Sequence, residues 1–263
     1  MTSHITGTAT APGKLKGKVA LVTGASKRIG RAIAIALAEE GADIVAHDRR
    51  NQEPETNKVC NEVVGCGSKS WKVIADLEKP EEYGTLIDRA MAAAGSLDIL
   101  INNASIFNPG TLRDMTLEEV IRYMHVNAWT PFSLTRDFAR RVATGKVVNL
   151  LDTKIKGYDR EHAPYILSKQ MLASLTTMSA LEFAPAVTVN AVCPGLILPP
   201  AGKGGDYLDR LAPGLPLQRH GSAADIADAV LYLLKSDFVT GQVIYVDGGR
   251  HLREDIHGPH SDQ

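Results

Sequence analysis

Three side chains in the second half of the chain have the types and the spacing that proton transfer requires. Tyr165 and Lys169 lie four residues apart, and Asp152 precedes the tyrosine by thirteen residues. Side chains four residues apart share one face of a helix. At about 4 Å and an effective dielectric of about 20, a lysine charge is worth up to ~4 kcal/mol to an ionised phenol. We therefore expect Lys169 to lower the pKa of Tyr165 from its usual ~10 toward the range of a general acid.

Asp152 bears on the substrate that such a pair could reduce. An ionised carboxylate cannot donate a hydrogen bond to a carbonyl oxygen, but it accepts hydrogen bonds from the ring and amino N–H groups of a nitrogen heterocycle. With a raised pKa, the same acid could protonate a ring nitrogen after hydride arrives. Asp152 therefore favours reduction of a C=N bond over reduction of a C=O bond. Alternatively, Asp152 only caps the loop that follows a strand.

Charge and composition exclude several classes of function. The chain has 263 residues, 44% of them hydrophobic and 22% charged, and a formal net charge of −1. Interspersed charges leave no basic surface for nucleic acid, and the apolar runs are too short to span a membrane. Three widely spaced cysteines predict neither a disulfide scaffold nor a metal site, and they fit a reducing cytoplasm. Residues 1–17 lack a signal-peptide pattern and are interpreted as a flexible leader.

Strand-like and helix-like segments alternate along residues 18–250, and a polar tail follows at 251–263. The predicted strands are Lys18–Thr23, Asp43–His47, Lys72–Ala75, Leu97–Ile101, Lys146–Leu151, Val187–Val192 and Gln242–Asp247. The main predicted helices are Ile29–Glu40, Glu81–Ala94, Thr116–Val142, Tyr165–Phe183 and Asp225–Leu234. This alternation predicts one α/β domain of the Rossmann type, with a doubly wound parallel sheet of about seven strands and helices on both faces.

The first predicted strand runs into the turn Thr23–Gly30. Gly24 allows the sharp turn, Gly30 lets the helix pack closely against the strand, and amide groups at the helix N-terminus then face an anion. The pattern predicts a dinucleotide site. Its candidate cofactor-binding residues in the turn are Gly24, Ser26, Lys27, Arg28, Ile29 and Gly30.

The end of the second strand bears on the choice of cofactor. Asp48 could accept hydrogen bonds from a free ribose 2′-hydroxyl, whereas Arg49 and Arg50 could bind a 2′-phosphate. With Lys27 on the opposing turn, positive charge dominates and the sequence predicts NADPH. The alternative is that both arginines are solvated and that Asp48 binds the ribose of NADH.

The motifs, taken in order and spacing, resemble those of short-chain dehydrogenase/reductases from about residue 17 to residue 250. They are the Thr23–Gly30 turn, Asp76-Leu77, Asn102-Asn103-Ala104, Asn127, Tyr165-x-x-x-Lys169, Cys193-Pro194-Gly195 and Val246-Asp247-Gly248-Gly249. The resemblance implies that Tyr165 is the acid/base, that Lys169 also binds the nicotinamide ribose, and that Asn127 anchors a water in the proton relay. The further cofactor contacts that it implies are Asp76, Leu77, Asn103, Ala104, Ser105, Pro194 and Gly195.

Two departures narrow the resemblance to the pteridine reductase and dihydromonapterin reductase branch. Arg28 stands where the family usually has glycine, and Asp152 stands where it usually has a serine that polarises a carbonyl group. Phe107 matches a phenylalanine that stacks on the pterin ring in that branch, and the ending Val246–Leu252 is also similar. The resemblance therefore implies NADPH-dependent reduction of a dihydropterin, dihydromonapterin or dihydrofolate-like ring, with Phe107 and Arg28 as substrate-binding residues.

Other interpretations of the same residues stay open. One is a carbonyl reductase or alcohol dehydrogenase that uses the hydroxyl of Thr153, although that side chain should point to the opposite face of its strand. Another is a dinucleotide-binding protein without catalysis. Phe107 is alternatively a core residue and Arg28 a surface ion-pair partner, and His162 is expected to face solvent. We expect the loop 196–218 to cover the substrate, and the resemblance implies a homotetramer.

Overall fold

The computed structural model describes residues 13–157, 159–199, 202, 204 and 206–253. Most of the predicted leader and tail, and part of the 196–218 loop, therefore lie outside the described residues. The strands are β1 (Val19–Thr23), β2 (Asp43–Asp48), β3 (Ser70–Ile74), β4 (Ile99–Asn102), β5 (Gly145–Leu150), β6 (Val187–Pro194) and β7 (Val243–Val246). They form one sheet, with every neighbouring pair parallel, in the order β3-β2-β1-β4-β5-β6-β7. The predicted single α/β domain is confirmed.

Helices cover both faces of this sheet. They are α1 (Arg28–Glu39), α2 (Glu53–Gly65), α3 (Pro80–Tyr83), α4 (Leu86–Ala94), α5 (Leu117–Met124), α6 (Thr130–Ala139), α7 (Ala163–Glu182), α8 (Asp206–Leu211) and α9 (Ala223–Lys235). The predicted helix Glu81–Ala94 is divided, because Gly84 is a poor helix former and ends α3. Within the described part of the chain, no helix is long and apolar enough to cross a membrane.

The central strands are apolar throughout because both faces of the sheet are covered. Ala20 and Val22 of β1 belong to the same core cluster as Ile33 of α1. Leu21, between them in the strand, belongs to a second cluster that contains Phe138 of α6. Successive residues of a strand point to opposite faces, so the two cores fix the sheet between two layers of helices.

The chain reverses its direction of travel across the sheet between β1 and β4. From β1 it builds outward through β2 and β3, and it then returns to β4 and continues to β7 on the other side. The connections that leave β1 and β4 therefore diverge. This divergence opens a crevice at the carboxyl ends of these strands, which is where open α/β sheets bind ligands.

The predicted helix Thr116–Val142 contains a π-helical segment. A capping box formed by Thr116 and Glu119 starts α5, and the π-helical turn His125–Trp129 separates it from α6. A π-turn adds a residue to the helical turn and is frequent at functional sites. This one contains Asn127, which is fully buried.

Candidate active site

A cavity of about 560 Å³ opens at the carboxyl ends of the central strands. One end of it is formed by the turn after β1 and the end of β2, and the other end by the segment after β5, the start of α7 and the loop after β6. The predicted site residues that line the cavity are Gly24, Lys27, Arg28, Ile29, Gly30, Asp48, Arg49, Asp76, Leu77, Asn103, Ala104, Ser105, Phe107, Asp152, Tyr165, Lys169, Pro194 and Gly195. The predicted site residues Ser26, Arg50 and Asn127 do not line it.

Asn103 holds the turn after β1. Its amide Nδ2 donates hydrogen bonds to the carbonyl oxygens of Thr23 at 2.9 Å and Gly24 at 3.1 Å. Gly24 has a φ of 64°, a conformation that glycine adopts without steric cost. A side chain at Gly30 would meet the Gly24 carbonyl oxygen at 2.1 Å. The close approach of this turn to α1 therefore depends on both glycines.

Arg28 begins α1 with a left-handed backbone. Its φ is 55°, a region that costs most L-residues roughly 1–2 kcal/mol. Its guanidinium Nη2 donates a hydrogen bond to the Pro199 carbonyl oxygen at 2.9 Å. The side chain thus links the turn after β1 to the loop after β6, and it lines the cavity.

Asp48 is bonded to the protein at the end of β2. Its Oδ2 accepts hydrogen bonds from the side chain and the backbone N–H of Ser26, and its Oδ1 accepts one from the Arg49 N–H at 2.8 Å. These bonds join the turn after β1 to β2 and use acceptor positions that a ribose hydroxyl would need. Arg49 is exposed and lines the cavity, whereas Arg50, the first residue of a 3₁₀ turn, does not line it.

Two further walls of the cavity are held by contacts outside it. Asp76, after β3, donates its backbone N–H to Glu82 Oε2 at 2.7 Å, and the adjacent Leu77 is buried. On the opposite side, a side chain at Gly195 would meet the Asp247 Cβ at 2.4 Å. The loop after β6 therefore lies against the end of β7 only because residue 195 is glycine.

The hydroxyl of Tyr165 is hydrogen-bonded directly to the carboxyl group of Asp152. Tyr165 Oη donates to Asp152 Oδ2 at 3.1 Å, and Asp152 Oδ1 accepts the Lys154 N–H at 2.8 Å. The tyrosine lies in the first turn of α7, and the aspartate follows β5. Asp152 therefore caps the short turn that follows it and also faces the cavity.

The pKa of Tyr165 does not shift in the expected direction. Burial raises it well above its usual value, and the charge of Asp152 raises it further. Lys169 Nζ lies 5.7 Å from the centre of the phenol ring and donates a hydrogen bond to the Leu150 carbonyl oxygen at 2.7 Å. The prediction that the pKa of Tyr165 is lowered is therefore wrong, because burial and the neighbouring carboxyl group together raise it.

Burial also shifts the pKa values of the two groups beside the phenol. It raises the pKa of Asp152, an effect that the Lys154 N–H, the Lys154 charge and the Tyr165 hydroxyl oppose in part. It lowers the pKa of Lys169 to about 8. Burial favours the neutral form of each group. The cavity therefore holds a protonated phenol beside a carboxyl group whose pKa is raised.

Phe107 forms an aromatic wall next to these groups. Its ring meets the Tyr165 ring edge to face, with centroids 4.7 Å apart, and stacks on the His162 ring at 4.4 Å. Phe107 is 45% exposed, so it is not a core residue. The expectation that His162 faces solvent is also wrong: its side chain is 14% exposed, because the ring is packed on Phe107 and paired with Asp159.

Similarity to known proteins extends over most of the chain and includes both ends of the cavity. A family model described as enoyl-(acyl carrier protein) reductase matches residues 24–251. An uncharacterized oxidoreductase of Mycobacterium tuberculosis is 35% identical over 246 residues, covering 90% of this chain and 93% of the relative. The chain belongs to the short-chain dehydrogenase/reductase family.

Two similar solved structures of NADP complexes bear on the activity of this short-chain dehydrogenase/reductase. FolM alternative dihydrofolate reductase 1 from Brucella canis, complexed with NADP, superimposes with a TM-score of 0.84 at 30% identity and covers 95% of this chain and 99% of that chain. Angucycline C-6 ketoreductase LanV with bound NADP has a TM-score of 0.84 at 29% identity and covers 92% and 98%, respectively. By their names, one is a dihydrofolate reductase and the other a ketoreductase.

In this short-chain dehydrogenase/reductase, Asn127 is hydrogen-bonded to Ser105 and Ile106, which line the cavity. Its Oδ1 accepts hydrogen bonds from the Ile106 N–H at 2.9 Å and Ser105 Oγ at 3.2 Å, and its Nδ2 donates to the Ile106 carbonyl oxygen at 3.0 Å and Ser168 Oγ at 3.1 Å. An amide side chain has two donor and two acceptor positions, and all are used within the protein. A water at Asn127 would have to be held by its backbone, and the relay role stays a prediction.

Thr153 does not supply the hydroxyl that the family usually has at residue 152. Its Oγ1 donates to Asp247 Oδ2, and the side chain is buried. Asp247 also accepts the backbone N–H groups of Gly249 at 3.0 Å and His251 at 2.8 Å. These bonds tie the end of β7 to the Asp152 segment and keep the threonine hydroxyl engaged outside the cavity.

The cavity wall also contains polar and charged residues that the sequence did not single out as site residues, among them Lys154, His162, Tyr207 and Arg250. The charges of Lys154 and Arg250 act on Asp152 and partly offset the rise in its pKa. Arg250 lies within the ending motif Val246–Leu252, which could have identified it. Tyr207 lies in the loop 196–218, which was expected to cover the substrate, whereas no motif marks Lys154 or His162.

Proposed function

We propose that the protein uses NADPH to reduce a pterin ring, such as a dihydropterin, dihydromonapterin or dihydrofolate-like ring. Asp152 carries the proposal: an acid stands where the family usually has serine, it lines the cavity, and it is hydrogen-bonded to Tyr165. Phe107 beside this pair offers an aromatic face for a flat ring. The similarity to FolM alternative dihydrofolate reductase 1 supports the same substrate class.

The residues at the first end of the cavity fit NADPH. Helix α1 begins without a side-chain cap and without an acidic residue in its first turn, so its amide groups are available to a pyrophosphate. Arg49 presents an exposed guanidinium at the cavity, while the oxygens of Asp48 are bonded to Ser26 and to the Arg49 N–H. This arrangement suits a 2′-phosphate better than a free 2′-hydroxyl. Bound NADPH supplies the hydride.

The protein's own task is to hold the ring and to place a proton. When ionised, Asp152 accepts hydrogen bonds from ring and amino N–H groups, and when protonated it gives a proton to a ring nitrogen. Burial raises its pKa, which brings the protonated form closer to neutral pH. The raised pKa of Tyr165 keeps that hydroxyl protonated, so it stays available as a hydrogen-bond donor to Asp152 or as an acid toward the substrate. A proton that either group releases is replaced from solvent water.

A substrate panel tests the proposal. Enzyme mixed with NADPH and dihydromonapterin or dihydrobiopterin is expected to consume NADPH, followed as loss of its near-ultraviolet absorbance. The same enzyme is assayed with a set of ketones and with NADH. Turnover of ketones without turnover of any pterin would contradict the proposal, and tight NADPH binding without any turnover would favour a non-catalytic protein.

A carbonyl reductase is the second candidate, and the similarity to angucycline C-6 ketoreductase LanV favours it. A ketone needs a hydrogen-bond donor at its oxygen, which Tyr165 supplies. The substitution Asp152→Ser separates the two activities, because serine donates to a carbonyl oxygen but cannot receive the ring N–H groups as a carboxylate does. Pterin reduction should fall, and ketone reduction should hold or improve. The opposite pattern would assign Asp152 to ketone chemistry.

We also propose that the protein is a homotetramer. Helices α5 and α7 leave large apolar side chains exposed, namely Leu117, Ile121, Met178 and Leu181, and association through these helices would remove them from water. Light scattering after size-exclusion chromatography should give four times the monomer mass, and a monomer at micromolar concentration would contradict the assembly.

The cysteines are free, and the cytoplasmic location stays a prediction.

A further inference from the structure

His162 and Asp159 form a pair beside the aromatic wall that the proposed reaction does not use. Asp159 Oδ2 faces His162 Nδ1 at 3.0 Å and is also paired with Lys154 Nζ, and its Oδ1 accepts the Glu161 N–H at 2.8 Å. Burial works against ionisation of Asp159, but the bonds from His162 and Lys154 hold its pKa well below the usual range. The carboxylate is therefore a charged anchor for the imidazole.

The backbone of His162 is joined to the segment that carries Phe107. The Gly110 N–H donates to the Glu161 carbonyl oxygen at 2.6 Å, and the Ala163 N–H donates to the Gly110 carbonyl oxygen at 2.8 Å. These bonds make a parallel bridge between Gly110 and His162. The start of α7 and the segment after β4 thus form one continuous wall, although they are distant in sequence.

The imidazole ring of His162 covers one face of Phe107. The ring centroids are 4.4 Å apart and the planes differ by 11°, which is the geometry of a stacked aromatic pair. Tyr165 contacts Phe107 edge to face at 4.7 Å and 83°. Two rings therefore restrict the plane of a phenylalanine that is 45% exposed and lines the cavity.

We propose that His162, anchored by Asp159, is a positioning residue that holds the ring of Phe107 as a flat wall for a planar fused-ring substrate. This inference rests on the proposed function in one respect, the use of Phe107 as the wall on which the substrate ring lies. It holds whether that ring is a pterin or an aromatic ketone. Without the imidazole, Phe107 is free to turn, and a flat ring loses a preformed surface before the proton-transfer step is affected.

The substitution His162→Ala is expected to raise KM for a dihydropterin about tenfold, the effect of losing a well-packed aromatic contact. The value of kcat should change much less, and the Kd for NADPH should stay as in the wild type. His162→Phe restores a ring and should return KM close to the wild-type value. His162→Gln keeps a polar group without a ring and should behave like His162→Ala. His220→Gln, outside the cavity, is the matched control.

A double-mutant cycle with Phe107→Ala distinguishes positioning from direct contact. If His162 acts through Phe107, adding His162→Ala to Phe107→Ala should raise KM little further, because the two residues share one effect. Additive effects would show that His162 contacts the substrate itself and would overturn the inference. An unchanged KM in His162→Ala, or rescue by glutamine and not by phenylalanine, would also overturn it. If His162→Ala does not fold, the comparison of His162→Phe with His162→Gln decides.

Failure of the proposed function is seen separately, in the substrate panel of the wild-type protein. If the wild type reduces fused-ring aromatic ketones but no pterin, the proposed function fails and the same variants are compared with such a ketone. A wild type that reduces only small aliphatic ketones would overturn both proposals. A wild type that reduces pterins, with KM insensitive to residue 162, would overturn only the positioning role.

Discussion

Tyr165 donates a hydrogen bond to Asp152 Oδ2 at 3.1 Å, and burial raises the pKa of both groups. Each group therefore stays protonated to a higher pH than it would in water. This differs from the arrangement that the Tyr–Lys spacing alone suggested, in which a lysine charge prepares an ionisable phenol. Lys169 instead donates to the Leu150 carbonyl oxygen, and burial lowers its own pKa to about 8.

The substitution Tyr165→Phe tests the proton supply. Loss of a positioned acid should lower kcat by roughly 10²–10⁴, while NADPH binding stays unchanged. The hydrogen bond from Tyr165 opposes the rise in the pKa of Asp152, so its removal should raise that pKa further. The pH at which the residual rate declines should then move upward. Tyr232→Phe, on the exposed surface of α9, serves as the control, and an unshifted pH midpoint would contradict the coupling.

Asp152→Asn should stabilise the protein by an amount that depends on pH. The folded-state pKa of Asp152 is raised, so the folded protein binds this proton more tightly than the unfolded chain, whose pKa is about 3.9. Stability is therefore lost as pH rises from the unfolded pKa through the folded one. The difference in Tm between Asp152→Asn and wild type, measured without NADPH, should grow over that range and then level off. A difference independent of pH would refute this.

Arg28→Gly should increase stability and reduce activity. Glycine relieves the left-handed backbone at φ 55°, a gain of roughly 0.5–1 kcal/mol in the free energy of unfolding. The link to the Pro199 carbonyl oxygen is lost, so KM for the substrate should rise. Gln218 also has a positive φ, 50°, and lies outside the cavity. Gln218→Gly should give a similar gain in urea unfolding without a change in KM, and equal KM values for both variants would exclude a binding role for Arg28.

Arg49→Ala should weaken NADPH binding selectively. Loss of a charge-assisted contact to a 2′-phosphate is expected to raise the KM for NADPH at least about tenfold, with little effect on NADH. Arg50→Ala removes an equal charge one residue away but outside the cavity wall, so it should have a much smaller effect. The ratio of kcat/KM values for the two cofactors measures this. A larger effect of Arg50→Ala would refute the assignment of the 2′-phosphate to Arg49.

Local patterns made much of the fold predictable. Continuous apolar runs such as β1 indicate strands that are buried on both faces, and the Thr23–Gly30 turn indicates the first βα connection. The division of the predicted helix Thr116–Val142 was not predictable in this way. The π-turn that contains Asn127 is accompanied by hydrogen bonds to Ile106 and Ser168, which are distant in sequence.

The site was likewise predictable only where residue type and local spacing carried the signal. The residues Gly24, Arg28, Phe107, Asp152 and Tyr165 were identifiable from type and spacing, and all of them line one cavity. Their roles stay predictions. The pairing of His162 with Asp159 and its stacking on Phe107 had no signal in the sequence, because a histidine and an aspartate in a polar loop are normally solvated.

By itself, the sequence determined the order of strands and helices along the chain and a short list of candidate catalytic and binding residues. Both depend on periodicity and spacing along the chain. The tertiary structure alone decided that the phenol is bonded to a carboxyl group, that its pKa rises, and that Thr153 is engaged with Asp247. Burial and hydrogen bonding sum contributions from segments that are far apart in sequence. Their balance is therefore set only when β5, α7 and the end of β7 meet.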